Sequence, residues 1–231
     1  MQVLRLAVLA VSIGVALMSG GTAKANLLTN GSFENTASTF VNDGQGLMLV
    51  SGPAGSSIPG WTVVANNVHW EVSPNPFGLT PSDGSYYVDL TGVTDNTNFA
   101  TIQQIFATVS GVQYYVSFDM GANNGSCRGL DCTGPMGINV IVSGVTQDFT
   151  AYDPVGPGMH WQTFGMDFTA NSASTTLQLH GLSAGHYFLG LDNVVVTQPA
   201  VVPAPDTFTL MLVGLSLLGF IARHRKQQVT A

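Results

Sequence analysis

The segment Tyr114-Tyr115-Val116-Ser117-Phe118-Asp119-Met120 decides the fold class of this chain. Starting from the first residue of the segment, every second residue is large and apolar, and the residues between them are Tyr, Ser and Asp. Successive side chains of a β-strand point to opposite faces of the sheet. This period of two therefore predicts a strand that turns one face toward a hydrophobic core.

Short alternating segments of this kind recur from Asn26 to about Gln198, and Gly, Pro, Asn and Ser separate them. No window of twelve residues in this region keeps a helical period. This pattern predicts an all-β domain over residues 26–200, a β-sandwich of the jelly-roll type. The ten predicted strands are Trp61–Val64, Val68–Val72, Tyr86–Leu90, Thr101–Ala107, Tyr114–Met120, Gly137–Val142, Val145–Thr150, Phe164–Phe168, Thr176–His180 and Leu191–Thr197.

Charge is distributed unevenly along the 231 residues, of which only 8% are charged. Residues 26–200 contain twelve acids and one base, Arg128, so their net charge is −11, whereas residues 1–25 and 201–231 each carry +2. The scarcity of bases excludes nucleic acid as a partner, because such binding depends on neutralising phosphates. The acidity of the domain favours a neutral glycan, unless calcium bridges the domain to an acidic polysaccharide.

The first 25 residues have the layout of a secretory signal peptide. Arg5 precedes the apolar run Leu6–Met18, and Ala23-Lys24-Ala25 supplies the small residues that a signal peptidase accepts. The run is too short to cross about 30 Å of hydrocarbon at 1.5 Å per residue. We therefore expect cleavage between Ala25 and Asn26.

Residues 201–231 combine a proline-rich tripeptide, an apolar run and a basic stop. The tripeptide is Pro203-Ala204-Pro205, and the basic stop is Arg223-His224-Arg225-Lys226. Basic residues directly after an apolar segment hold that side of the membrane in the cytoplasm. We expect a transmembrane helix at about residues 207–222, which would anchor the chain in the inner membrane with its domain in the periplasm.

This tail resembles the PEP-CTERM sorting signal of bacterial exported proteins. Val202-Pro203-Ala204-Pro205-Asp206-Thr207 matches four of the six positions of the usual Val-Pro-Glu-Pro-Ser-Thr. The resemblance implies processing by an exosortase-type enzyme, followed by residence at the cell surface or in the extracellular matrix. Ala204 stands where the family has Glu, and if the enzyme requires that acid the chain stays anchored.

Cys127 and Cys132 are the two cysteines of the chain. In an exported protein such a close pair predicts a disulfide that closes and shapes a small loop. Free thiols or a metal site are the alternatives, although a metal would need further soft or imidazole ligands, and none is close in sequence.

Common catalytic motifs are missing from the sequence, including a Gly-x-Ser-x-Gly elbow, a His-Glu-x-x-His zinc helix and a Walker loop. We therefore expect that the protein is not an enzyme. The many acids leave one alternative open, a carboxylate pair for glycoside hydrolysis.

Aromatic and polar residues on the outward faces of predicted strands indicate a carbohydrate site. Trp161 and Tyr87 each alternate with apolar residues that are expected in the core, and His69 is expected to point outward beside Glu71. Flat rings pack against sugar C–H groups, while polar side chains bind the hydroxyls. These four residues form the predicted ligand-binding set, and a purely structural role is the alternative for each.

Several motifs along the mature domain, taken together and in order, resemble a family of exported domains. The set is similar to bacterial "choice-of-anchor C" proteins with a galactose-binding-like fold. It is more distantly similar to a plant cell-wall domain that associates with pectin, and to jelly-roll carbohydrate-binding modules. The resemblance implies a jelly roll that contacts wall or matrix polysaccharide. The motifs are Asn26–Glu34, Ile58–Trp61, Asp83–Leu90, Ile102–Phe106, Tyr114–Phe118, Trp161–Phe164 and Leu191–Val194.

The same resemblance implies a structural calcium ion. Related carbohydrate-binding modules often hold one between an N-terminal Phe-Glu and a C-terminal strand that carries an Asp. By position, the ligands here would be Glu34 and Asp192. Calcium takes carboxylate and carbonyl oxygens, so it would clip the two terminal strands together. The alternative is that both residues are ordinary strand-end acids.

Together these features predict an exported, surface- or matrix-associated protein with a non-catalytic domain that contacts exopolysaccharide or cell-wall glycan. A structural matrix protein that associates with itself is the first alternative. A glycan-active enzyme is the second.

Overall fold

The computed structural model describes residues 25–37, 39–52, 58–92, 99–123, 136–151, 158–182, 188–198, 211 and 214–218. Within these residues the chain forms eleven β-strands. They are β1 (Leu47–Ser51), β2 (Thr62–Ala65), β3 (Asn67–Val72), β4 (Tyr86–Asp89), β5 (Thr101–Ala107), β6 (Gln113–Ala122), β7 (Met136–Val142), β8 (Val145–Ala151), β9 (His160–Thr169), β10 (Ser174–Gly181) and β11 (Leu189–Thr197).

The strands form two antiparallel sheets that face each other. The six strands of sheet A lie in the order β1-β3-β4-β11-β6-β9, and the five strands of sheet B lie in the order β2-β5-β10-β7-β8. Most neighbours in each sheet are not consecutive in the chain, β3-β4 and β7-β8 being the exceptions, and this agrees with the crossing connections of a jelly roll. The predicted all-β, jelly-roll sandwich is confirmed.

All ten predicted strands form, and one further strand, β1, was missed. Its sequence LMLVS places four apolar residues in succession, so it has no alternation that would mark a strand. β1 is the edge strand of sheet A, paired only with β3, and only Leu47 and Val50 are buried in it. Pairing with β3, rather than the local pattern, makes this segment a strand.

The hydrophobic core fills the space between the two sheets. The alternating residues of β6 point into it as predicted, and Phe118 is completely buried. Its ring meets Phe149 of sheet B edge to face, with the ring centroids 5.4 Å apart. Complete burial of such a side chain stabilises the fold by about 2–3 kcal/mol.

The N-terminal segment lies against the last strand of sheet A. The Leu27 N–H donates to the Val196 carbonyl at 2.9 Å, and the Val194 N–H donates to the Gly31 carbonyl at 2.8 Å. Glycine is required at position 31 because a Cβ atom there would lie 1.9 Å from the Val194 carbonyl oxygen. Backbone hydrogen bonds thus join the beginning and the end of the domain.

One end of the sandwich, which we call the tail end, contains the last residue of β11, Thr197, paired with Tyr115. At this end the β5–β6 loop meets the β9–β10 loop, since the Gly111 N–H donates to the Ala170 carbonyl at 2.8 Å. The two-residue turn Ser143-Gly144 joins β7 to β8 at the same end, with φ angles of 51° and 79°. Positive φ at both positions is what a tight hairpin turn needs, and glycine adopts it without strain.

Several predictions concern residues outside the described ranges. They include the signal peptide up to Lys24, the pair Cys127 and Cys132, and the sorting tripeptide Pro203-Ala204-Pro205. In the tail, the described residues 211 and 214–218 are helical. Among the described residues no helix is long and apolar enough to cross a membrane. The cleavage site, the disulfide and the membrane helix therefore remain predictions.

Candidate functional site

The outer face of sheet A, which points away from sheet B, carries four buried carboxylates. Glu71, Asp89, Asp119 and Asp192 are between 0% and 8% exposed. We call them the acidic cluster. They lie on four neighbouring strands, on the faces opposite the core residues of those strands. The outer face of sheet A would ordinarily be solvated, but it is buried where these four carboxylates lie.

Residues 73–85, between β3 and β4, form a covering loop over this face. Leu79 of the loop is only 1% exposed. Asn75 fixes the loop locally, because its Oδ1 accepts the N–H groups of Phe77 and Leu79 at 3.1 and 3.2 Å. An Asn side chain that bonds the backbone ahead of it is a common way to hold a turn.

The structure brings together all four residues of the predicted ligand-binding set on this face. The rings of Tyr87 and Trp161 meet edge to face with centroids 5.7 Å apart. The Tyr87 hydroxyl donates a short hydrogen bond to Glu71 Oε2, and His69 lies two residues before Glu71 on the same face of β3. Tyr87 and Glu71 are fully buried, whereas His69 and Trp161 are partly exposed. Only the latter pair can reach a ligand without movement of the covering loop.

Trp161 holds the covering loop on the sheet. Its Nε1 donates to the Thr80 carbonyl at 2.9 Å. Its ring lies over Gly121 and Gly190, where an added Cβ atom would come within 2.9 and 2.7 Å of the ring carbons. Two glycines on adjacent strands therefore make room for the indole.

The predicted calcium ligands bind the covering loop through hydrogen bonds. Glu34 Oε1 accepts the N–H groups of Ser85 and Tyr86 at 2.8 and 2.7 Å. Asp192 Oδ2 accepts the N–H groups of Ser82 and Asp83, both at 2.9 Å. A calcium ion shared by the two carboxylates would compete with these four donors. Calcium at Glu34 and Asp192 remains a prediction.

Burial shifts the pKa values in this region. Loss of solvent, followed by repulsion from Asp89, raises the pKa of Glu71 well above its usual value. Loss of solvent raises the pKa of Asp192 to about 7, although its hydrogen bonds oppose the shift. Burial and the nearby Glu71 carboxylate raise the pKa of the Tyr87 hydroxyl as well. All three groups favour their neutral forms.

Three side chains on the outer face of sheet A, those of His69, Glu71 and Asp89, lie close enough together to hold a metal ion. One ligand atom from each of His69, Glu71 and Asp89 lies within 4.8 Å of the others, and theirs is the one such group among the described residues. His69 and Asp89 are opposite each other in the β3–β4 register. The sequence indicated His69 beside Glu71, but Asp89 was missed as a third member because pairing of β3 with β4 brings it there.

A second candidate site is a groove on the outer face of sheet B, with a volume of about 440 Å³. The residues that line it carry no charge, and most offer an amide or a hydroxyl. They are Gln103, Ile141, Val142, Ser143, Gly144, Asn171, Ser174, Thr175, Thr176 and Gln178. The sequence did not indicate this groove, because no aromatic residue lines it. The signal was the alternation of Thr176 and Gln178 with buried leucines.

Comparison with protein families gives two matches on this chain. The family described as "Protein of unknown function (DUF642)" matches residues 26–196. The motif described as "PEP-CTERM protein-sorting motif" matches residues 201–226. The second match confirms the sorting signal that the tail sequence indicated.

Similar proteins include halomucin of Haloquadratum walsbyi, with 27% identity over 188 residues that cover 80% of this chain. The matched region is only 2% of the length of halomucin. Among solved structures, TmCBM61 in complex with β-1,4-galactotriose is similar, with a TM-score of 0.48 and 14% sequence identity. The match covers 75% of this chain and 99% of the TmCBM61 chain. A family 35 carbohydrate-binding module from Clostridium thermocellum has a TM-score of 0.41 and 15% identity over 65% of this chain and 96% of the module.

Proposed function

Because the chain belongs to the DUF642 family and carries a PEP-CTERM sorting motif, we propose that it is an envelope-sorted protein that binds a neutral glycan without altering it. The sorting motif marks an exported protein destined for the cell envelope. The proposed ligand is a polysaccharide of the cell wall or of the surrounding matrix.

The observation that carries this proposal is the uncharged, hydrogen-bonding lining of the groove on sheet B. Amides and hydroxyls match the hydroxyl groups of a sugar, since each can both donate and accept hydrogen bonds. The groove volume of about 440 Å³ falls within the usual range of ligand sites. A neutral lining on a domain with a net charge of −11 favours a neutral chain over an acidic one.

Two glutamines form the centre of the groove. Gln178 Nε2 donates to Gln103 Oε1 at 2.9 Å, and both side chains are half-buried on adjacent strands. This bond orients both amides and leaves the Gln103 N–H groups and the Gln178 carbonyl oxygen for a ligand. Ser143 at the rim has a buried Oγ without a hydrogen-bond partner among the described residues, so a ligand hydroxyl there would gain a full hydrogen bond.

Glycan binding can be tested with the exported protein on an array of neutral and acidic polysaccharides, followed by calorimetry on the best ligand. We expect a neutral glycan to bind, and Gln178→Ala to weaken its affinity at least tenfold, because the change removes hydrogen bonds from the centre of the groove. Gln162→Ala is the matched control, since Gln162 is exposed on sheet A. Equal affinities of the two variants would contradict the groove as the site.

The same measurements separate the other candidates. Loss of affinity in Trp161→Ala but not in Gln178→Ala would place the glycan on sheet A, as the sequence analysis expected. Release of reducing sugar that stops in Glu71→Gln would make the protein an enzyme. Assembly that grows with protein concentration and needs no glycan would favour a structural matrix role.

A further inference from the structure

The described part of the chain contains no Lys or Arg, and His69 is the basic residue that lies beside the acidic cluster. All six Lys and Arg residues of the sequence lie outside the described ranges, and Arg128 is the sole one between residues 26 and 200. Buried charges in proteins are ordinarily paired or bound to a metal ion, because an isolated buried charge is costly. A bound cation would offset the cost of ionising Glu71, whose neutral form burial otherwise favours.

One atom of the cluster identifies where that cation would bind. Glu71 is 0% exposed, and its Oε1 has no hydrogen-bond partner among the described residues. The other oxygen, Oε2, accepts the Tyr87 hydroxyl. Asp89 differs, since its Oδ1 accepts the N–H groups of Thr91 and Leu189 at 2.9 and 3.1 Å. The unsatisfied position of the cluster is thus on Glu71.

We propose that His69, Glu71 and Asp89 bind a divalent transition-metal ion of the Zn²⁺ type on the outer face of sheet A. The ligand atoms lie within 4.8 Å of one another. Atoms bound to one zinc ion at about 2.1 Å stand about 3.4 Å apart, so a small contraction of the three side chains completes the site. This site is separate from the positions of Glu34 and Asp192.

The donor set selects the class of metal. One imidazole nitrogen with two carboxylates suits zinc and its neighbours, whereas calcium and magnesium prefer oxygen ligands alone. Three protein ligands leave one position of a tetrahedral ion for water or for a ligand atom. His69 is the partly exposed member of the set, so that position can open toward the rim of the covering loop.

Tyr87 is a positioning residue for this site. Its hydroxyl holds Glu71 Oε2, which leaves Oε1 for the metal ion. Hydrogen bonds to a ligating carboxylate are a regular part of metal sites, and their loss typically lowers affinity 10- to 100-fold.

The test is titration of chelator-treated, tag-free exported protein with Zn²⁺ by calorimetry, and with Mg²⁺ and Ca²⁺ for comparison. We expect one equivalent of Zn²⁺ to bind and to raise the melting temperature. Glu71→Gln and His69→Gln should each weaken Zn²⁺ binding at least tenfold. Asp167→Asn, the matched control, removes an exposed carboxylate of sheet A and should leave Zn²⁺ binding unchanged. Glu34→Gln should weaken calcium binding if calcium occupies the predicted Glu34–Asp192 site.

Glu71→Gln also supplies a readout that loss of folding cannot imitate. Glutamine is neutral and keeps an oxygen for the Tyr87 hydroxyl, so the metal-free variant should melt at least as high as the metal-free parent. The same variant should lose the stabilisation by Zn²⁺. Absence of Zn²⁺ binding up to about 1 mM, or equal binding by Glu71→Gln and the parent, would overturn the site.

Discussion

Asp192 is a buried carboxylate whose protonation links the site to the stability of the fold. Its Oδ2 accepts two backbone N–H groups of the covering loop, and its Oδ1 accepts the N–H of Asn193 at 2.7 Å. Asp119 on β6 lies directly opposite it in the sheet and shares the Ser82 hydroxyl with it. Glu71, Asp89 and Tyr87 are further titratable groups on this face of sheet A. Loss of solvent on burial opposes the ionisation of Asp192.

The raised pKa of Asp192 predicts that stability falls as the pH rises through the acidic range. The pKa is about 7 in the folded protein and 3.8 ordinarily, so between these values the folded state holds a proton that the unfolded chain has released. The unfolding free energy should therefore decrease from about pH 4 to about pH 7, by up to a few kcal/mol.

Urea denaturation of the metal-free protein at a series of pH values checks this expectation. Asp192→Asn should flatten the profile in the same range, because it removes the titrating group. A stability that rises steadily between pH 4 and pH 7 would contradict a raised pKa for Asp192.

Sequence reasoning at this scale placed side chains on the correct face but could not tell how accessible they are. The alternation in β3 and β4 correctly put His69, Glu71 and Tyr87 on the face away from the core. Their burial depends on residues 73–85 folding back over the sheet, which is a long-range contact without a local signature. Asp89 also depends on a long-range contact, because the pairing of β3 with β4 brings it to the site.

At the scale of elements, the covering loop is the part of the fold that makes the acidic cluster possible. Carboxylates from two distant elements, Glu34 and Asp192, bind its backbone, and Trp161 binds Thr80. Asn75 organises the beginning of the loop through bonds to the backbone of residues 77 and 79. Hydrogen bonds within the loop and hydrogen bonds to the rest of the domain therefore both hold the loop in place.

Asn75→Ala should destabilise the protein by about 1–2 kcal/mol, because two backbone N–H groups and two backbone carbonyls lose their hydrogen bonds to its side chain. Urea denaturation measures the loss, and faster hydrogen exchange in residues 73–85 would localise it. Asn171→Ala is the matched control, since Asn171 is exposed and should change stability by less than about 0.5 kcal/mol. Similar losses in the two variants would show that Asn75 does not organise the loop.

Strand prediction succeeded where the local pattern and the tertiary environment agree. The ten strands that alternate all formed, whereas β1 was missed because LMLVS has no alternation and lies at a sheet edge. The groove on sheet B was missed for a different reason. Its polar residues are unremarkable one by one, and only the register of β5, β10 and β7 collects them on one surface.

For the whole molecule, we propose that the two ends of the chain act as addresses and that the domain between them binds a ligand. We propose that an exosortase-type enzyme processes the tail, after an inner-membrane stage with the domain in the periplasm. The sorting motif at residues 201–226 supports this proposal. Ala204 stands in the position of the usual Glu, so restoring the acid tests whether this position controls processing of the tail.

Mass spectrometry of the protein from its native host should show a mature chain that begins at Asn26 and lacks the apolar segment 208–222 and the residues after it. The expected reason is that the motif directs removal of the apolar segment and its basic stop. Ala204→Glu restores the usual acid and serves as the comparison. An exported product that still contains Lys226 in the parent, but not in Ala204→Glu, would show that Ala204 blocks processing.

The position of the tail end also sets how the domain would be oriented on a surface. Thr197 ends β11 beside Tyr115, and the Ser143-Gly144 rim of the groove lies at this same end of the sandwich. Only residues 198–200 separate β11 from the matched sorting motif, a span of about 10 Å at full extension. A tail held in the envelope would therefore point the groove toward the cell, so that a bound polysaccharide strand would run between the domain and the surface that carries it.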